Sequence, residues 1–368
     1  MAYELDFIGV SKKTDDATAI GIRWKKPDGG YTVGVFDGGT AAYGEVLKDH
    51  MIQYYFNGQK GGYIDFVICS HPHGDHATGL KAILENFEVG TLYMNCPWDY
   101  ADELYDRIKD HRMTPKTLAE HLRAIYDKTA ALEEIAQKRG IEICSVFEGD
   151  VIADKLTVLS PSKEFYLDMI AESEKTTMLE SASEQENTGL LHCAVEAARQ
   201  VLNWIAETWD ADSLRENVKT QPDNETSTVI LGEMEDETFL LTGDVGIKGL
   251  KCAMDYADSI NKGIQENVTL YEIPHHGGRR NLSPSIMDRL VGEIVEQGIE
   301  TGKRAIVCTG KDSDHPKRMV VNAFLRRGAK VHNASGYIIQ HCCGNMPSRG
   351  WVSSVSLEFY DEVEEWKS

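Results

Sequence analysis

Three imidazoles and a carboxylate fall within six residues in the segment His71-Pro72-His73-Gly74-Asp75-His76. Such a set can converge on a small volume. Imidazole nitrogen suits zinc, and a mixed histidine and carboxylate set also admits manganese or iron. The segment follows the apolar run Tyr63 to Cys69 and precedes a helical pattern beginning near Thr78, so it stands where a strand leaves a sheet. Strand-end loops are where layered α/β folds build their sites. The bland alternative is a surface loop rich in histidine; motif density and strand-end placement favour the ligand reading.

The elements that must hold this loop read as short apolar strands alternating with helical patterns, which points to an α/β sandwich. Strands are expected at Thr18 to Trp24, at Tyr31 to Phe36 after the turn Lys26-Pro27-Asp28-Gly29-Gly30, and at Tyr63 to Cys69. The second ends in Asp37-Gly38-Gly39. Asp99 to Arg139 is helical and charged, and strands follow at Glu142 to Phe147 and Lys155 to Leu159. Lys163 to Asp210 again reads as helical, broken by the polar tract Ser181 to Asn187. A hairpin is expected from Ser227 to Leu231 and Thr238 to Thr242, and a later strand at Ala305 to Cys308. Strands of the same style resume after the polar tract, so it reads as a mobile loop rather than a linker. Residues 1–368 are therefore expected to form one domain, with helical insertions at about 99–140 and 163–215 lying over the metal face as a lid.

His71, His73, Asp75 and His76 match the HxHxDH signature without a gap, and here the sequence resembles the metallo-β-lactamase superfamily. The resemblance implies a four-layer αββα sandwich and two divalent metal ions, with zinc the first expectation and manganese the second. Carried over by position, His71 and His73 would bind metal one, and Asp75 and His76 metal two. Asp37 would be the family's aspartate that supports the metal loop from behind; alone it would read only as a turn residue. The apolar run Phe239-Leu240-Leu241 ends in Thr242-Gly243-Asp244, and Asp244 would be the carboxylate bridging both metals, against the alternative of a helix N-cap.

The segment Tyr271-Glu272-Ile273-Pro274-His275-His276-Gly277-Gly278-Arg279-Arg280 is similar to the metallo-β-lactamase-like domain of ComEC/Rec2 DNA-uptake proteins and their stand-alone relatives. Asn224 and Ser227 stand ahead of the Thr-Gly-Asp strand as in those proteins, and His315-Pro316 follows a later strand. One departure from the wider superfamily is the lack of an evident ligand histidine between the HxHxDH loop and Asp244. The candidates His111, His121 and His192 all lie in helical patterns, where a lone histidine is more often a surface or core residue. The resemblance then implies that His275 or His276 completes site one and His315 completes site two. Adjacent strand residues point opposite ways, so one of the pair is expected to bind metal, and which one stays open.

With that ligand set, a metal-bridging hydroxide would make the protein a hydrolase, with Asp75 and Asp244 as the carboxylates of its catalytic centre. The leading expectation is phosphodiester hydrolysis, on nucleic acid or a smaller phosphate-containing substrate. Arg279 and Arg280 would neutralise the phosphate, and Asn224 and Ser227 would donate hydrogen bonds to it; otherwise these are solvated arginines and a turn cap. A net charge of −21 works against non-specific nucleic-acid binding, while two divalent cations would supply about +4 of local charge. Other substrates for the same chemistry are lactams, lactones, thioesters and non-phosphate esters. A binding module in a larger complex is a further reading; the ligand count argues against it, since a closed structural zinc site needs about four ligands.

The eight cysteines are scattered, several in apolar runs, and read as reduced core residues. No run of about 18 apolar residues and no signal-peptide pattern at the N-terminus is evident, so a cytoplasmic protein without a membrane partner is expected.

Overall fold

The computed structural model describes residues 1–108, 113–173 and 203–366. The strands are β1 (Tyr3–Phe7), β2 (Ala19–Lys25), β3 (Tyr31–Gly38), β4 (Tyr63–Ile68), β5 (Glu88–Tyr93), β6 (Glu142–Cys144), β7 (Val151–Ile152), β8 (Leu156–Ser160), β9 (Trp204–Ala206), β10 (Val229–Glu233), β11 (Thr238–Leu241), β12 (Val268–Glu272), β13 (Arg304–Thr309), β14 (Lys330–Ser335), β15 (Ile339–Cys343) and β16 (Glu362–Glu364). They form two seven-stranded sheets, in the orders β15-β1-β2-β3-β4-β5-β6 and β14-β13-β12-β11-β10-β8-β7, and β16 pairs separately with β9.

Two-residue periodicity decides the layering. Along β2, Ile20, Ile22 and Trp24 face the second sheet, where they meet Phe239 and Leu241 of β11 and Ile306 and Cys308 of β13 in one buried cluster. The alternate residues turn outward. Val33 and Val35 of β3 join a second cluster with Leu47, Leu80 and Ile83 from helices Ala41–His50 and Leu80–Asn86. Leu240 of β11 and Val307 of β13 join a third with Leu250 and Phe324 from helices Ile247–Ser259 and Arg318–Leu325. Three apolar layers separate four layers of structure, so the fold is the expected αββα metallo-β-lactamase sandwich.

β3 to β6 run parallel in one sheet and β11 to β14 in the other. Parallel strands deliver their C-terminal ends to a common edge. The loops after β3, β4, β11, β12 and β13, together with the chain entering antiparallel β10, therefore gather the chemically active residues.

The expected strands and hairpin are present, within a residue or two at most ends, although the strand expected at Glu142 to Phe147 stops at Cys144. β1 was not anticipated. Its Glu4 and Asp6 are fully buried, which an alternation of apolar and acidic residues does not suggest. The stretch from Lys163 to Asp210 is not helical throughout: after helix Lys163–Glu172, Trp204–Ala206 is a strand, because Ile205 packs on the outer core of the second sheet while the backbone pairs with β16. The tract Ser181 to Asn187, His111 and His192 lie outside the described residues. Helices Ala101–Tyr105, Pro115–Ile125 and Asp127–Arg139 bury Leu104, Leu118, Leu122 and Leu132 in the outer core of the first sheet. Among the described residues no helix is long and apolar enough to cross a membrane.

Candidate metal centre

Leaving β4, the chain passes Cys69 and Ser70 and enters the His71–His76 loop, which a carboxylate holds from beneath. Asp37, buried at the end of β3 with φ 56°, accepts from the Ser70 backbone N–H at 2.8 Å and from the Ser70 hydroxyl at 2.6 Å. The same carboxylate lies 2.7 Å from Nδ1 of His76. A carboxylate only accepts, so Nδ1 carries the proton and Nε2 points the other way, 2.9 Å from Oδ1 of Asp244.

Two further histidines repeat this arrangement. His71 has Nδ1 3.0 Å from the Ser70 hydroxyl and Nε2 3.6 Å from Oδ2 of Asp244. His276 donates from Nδ1 to the Cys308 carbonyl at 3.0 Å, leaving Nε2 3.4 Å from Asp75 and 3.9 Å from Oδ1 of Asp244. The potential ligand atoms fall into two groups within 4.8 Å: Asp75, His76, Asp244 and His276 in one, and His71, His73 and Asp244 in the other. Asp244 is common to both.

Asp244 is fully buried, on a turn whose tightness Gly243 permits. Gly243 has φ 53°, and a Cβ there would come within 2.8 Å of the Ser70 hydroxyl. Ser227 accepts from the Asp244 N–H at 3.1 Å, and the buried carboxylate of Glu272 accepts from Thr242 N–H at 2.6 Å and Gly243 N–H at 3.1 Å. The His275-His276 turn is as sharp: His275, His276 and Gly277 all have positive φ, at 50°, 54° and 82°. A Cβ at Gly277 would lie 2.4 Å from that of Pro316, so the His315-Pro316 segment abuts this turn.

Burial pushes the His71 imidazole well below its usual pKa. For His76 burial acts the same way, but Asp244 and Asp37 outweigh it and carry the group well above the usual value. Burial would raise Asp244, yet His275, His76 and His276 hold it well below the carboxylate range. Burial dominates at Glu272, whose carboxyl is pushed up to about 8.

The donor set fits a divalent cation. Nε2 of His71, Nε2 of His76 and both oxygens of Asp244 are buried and make no hydrogen bond, although His76 and His275 each stand 2.9 Å from an Asp244 oxygen. Buried polar atoms are seldom left so, each costing about 1–3 kcal/mol. Imidazole nitrogens and carboxylate oxygens converging there are what zinc or manganese takes.

Several expected residues sit differently. His276 joins Asp75 and His76, not His71 and His73. His275, a third exposed, stands in neither group; its Nδ1 is 2.9 Å from Asp244 and 2.8 Å from the Asn224 amide nitrogen. The pair does not alternate across a strand, because both residues lie in the left-handed turn. His315 is in neither group; the Asp16 carboxylate meets its Nδ1 at 2.8 Å and also accepts from the Ser313 hydroxyl and the Gly310 N–H. Ser227 is buried beneath Asp244, and Asn224 is turned to His275. Arg279 donates to the Glu364 and Glu365 carbonyls and stacks over Trp366 at 4.4 Å, while Arg280 is exposed and lines a cavity of about 640 Å³ beside Asp223. His121 is exposed on its helix. Sequence reasoning missed Asp223, Glu272 and Asp16. Asp223 adjoins Asn224, and Glu272 is a lone acid closing an apolar strand, so both carried some signal.

Residues 23–102 match the family model of the metallo-beta-lactamase superfamily, a span that contains Asp37 and the whole His71–His76 loop. No curated protein matches the chain. The match and the histidine–aspartate clusters together support a metal-dependent hydrolase.

Proposed function

We propose that this protein is a two-metal phosphodiester hydrolase, related to the stand-alone ComEC/Rec2-type enzymes. The observation that carries the reading is the division of the Asp244 carboxylate: Oδ1 faces His76 and His276, and Oδ2 faces His71 and His275. A shared carboxylate is what holds two ions about 3.5–4 Å apart, the spacing that suits in-line displacement at phosphorus. Bound divalent cations would supply a water of lowered pKa and positive charge for the phosphoryl oxygens.

The chain's own residues do the rest. Asp37, the Ser70 hydroxyl and the Cys308 carbonyl fix the ring orientations of His76, His71 and His276. Lys248 on the same cavity is paired with Glu172 at 3.2 Å, which leaves Arg280 and Lys219 as the cations offered to a phosphate beside the acids Asp223 and Glu225. His275 is left over from both groups and partly open to solvent, and on this reading it moves a proton to the leaving oxygen.

The test is turnover of an aryl phosphodiester by protein stripped of metal and refilled with zinc or manganese, beside Asp244→Asn and His73→Ala. Metal-dependent turnover lost in both variants supports the reading; metal-loaded protein that cleaves a thioester or lactone but no phosphodiester overturns it.

A further inference from the structure

The group of Asp75, His76, His276 and Asp244 offers an ion four side chains, whereas that of His71, His73 and Asp244 offers three. His71, His76 and His276 each turn Nδ1 to a neighbouring protein atom and aim Nε2 at a carboxylate of the centre. The Nε2 of His73 also faces a carboxylate: Oδ2 of Asp223, at 3.4 Å. Asp223 is buried, and its other oxygen, Oδ1, accepts from the Tyr126 hydroxyl at 3.1 Å. Tyr126, itself buried, lies between helices Pro115–Ile125 and Asp127–Arg139. The region that reads from sequence as an inserted cover thus reaches the edge of the centre.

We infer that Asp223 is the fourth protein ligand of the His71–His73 half-site, with its Oδ1 held by Tyr126. The inference rests on the two-metal reading. It puts a carboxylate where the sequence suggested a third histidine, so both half-sites carry two imidazoles and two carboxylates and are harder than a three-histidine site. Asp223 stands outside the 4.8 Å group, on the His73 side. Its place on the short turn Pro222–Glu225 is fixed by the Thr226 hydroxyl, which donates to the Asp223 carbonyl at 2.6 Å.

The experiment counts zinc and measures its dissociation constants by chelator competition in wild type, Asp223→Ala, Asp223→Asn and Tyr126→Phe, with thermal unfolding to confirm folding. Cobalt absorption is recorded for wild type and Asp223→Cys. The expected result is two ions in wild type, with one weakened at least tenfold in both Asp223 variants and the other unchanged; Tyr126→Phe shows a smaller weakening of the same ion. Asp223→Cys adds a thiolate-to-cobalt charge-transfer band absent from wild type. Two ions bound at wild-type strength by folded Asp223→Ala overturns the inference and leaves the two-metal reading intact. Weakened binding without the cobalt band reassigns Asp223 to orienting His73, which also overturns it. Wild type that binds no ion overturns both readings.

Discussion

Asp37 and His76 meet at 2.7 Å, carboxylate to Nδ1, and the contact fixes which nitrogen of His76 faces Asp244. Because the same carboxylate also takes both the N–H and the hydroxyl of Ser70, one side chain sets the loop's height and the ring's orientation together. Asparagine tolerates the positive φ at this position, so Asp37→Asn tests the contact without straining the backbone. Its amide can accept with only one of its two ends. Metal affinity should fall about 10- to 100-fold with the fold retained; unchanged chelator-competition curves would remove Asp37 from any supporting role.

Glu272 gives a pH dependence with a defined sign. Its carboxyl rises from 4.5 to about 8 in the folded chain, burial being the main cause. Between these values the folded state holds a proton that the unfolded state releases. The contribution to stability is therefore intact below about pH 4.5, declines as pH rises, and is gone above about pH 8, a loss on the order of a few kcal/mol. Glutamine still accepts from Thr242 and Gly243 but does not ionise. Metal-free Glu272→Gln should show a flatter urea midpoint than wild type across that window, and parallel curves would count against a protonated Glu272.

The two arginines after the histidine pair should separate cleanly. Arg280→Ala is expected to raise KM for an anionic phosphodiester roughly fivefold, with kcat little changed. Arg279→Ala should leave KM alone and cost about 1 kcal/mol of stability, through lost stacking on Trp366 and lost bonds to the carbonyls of 364 and 365. Steady-state kinetics with denaturant melts would show the opposite assignment if the roles were reversed.

A proton carried by His275 matters most when the leaving oxygen is basic. His275→Ala should therefore slow a methyl or alkyl phosphodiester by 10²-fold or more, on the order of a general-acid contribution, and a 4-nitrophenyl ester much less. Equal slowing of both substrates would assign His275 to binding rather than proton transfer.

The metal loop, the strands that flank it and Asp244 were legible in the sequence because each is a local pattern. Alternating apolar residues mark a half-buried strand, and a dense histidine motif at its end marks candidate ligands, whatever the rest of the chain does. β1 was not legible, because Glu4 and Asp6 read as surface residues. In the folded chain Arg23 reaches Glu4 at 2.6 Å, Gln340 reaches it at 2.6 Å, His50 reaches Asp6 at 2.9 Å, and Arg349, from far along the chain, bonds to both acids, which offsets their burial.

The same limit governs the site. That His276 rather than His315 joins Asp75, that Trp366 takes Arg279, and that Asp223 meets His73 across 150 residues of sequence are outcomes of how the two sheets stack and which loops their common edge brings together. Spacing along a chain names the groups able to bind a metal. Only the tertiary structure decides which of them share a volume small enough to do so, because that volume is assembled from the separate ends of β4, β11 and β12.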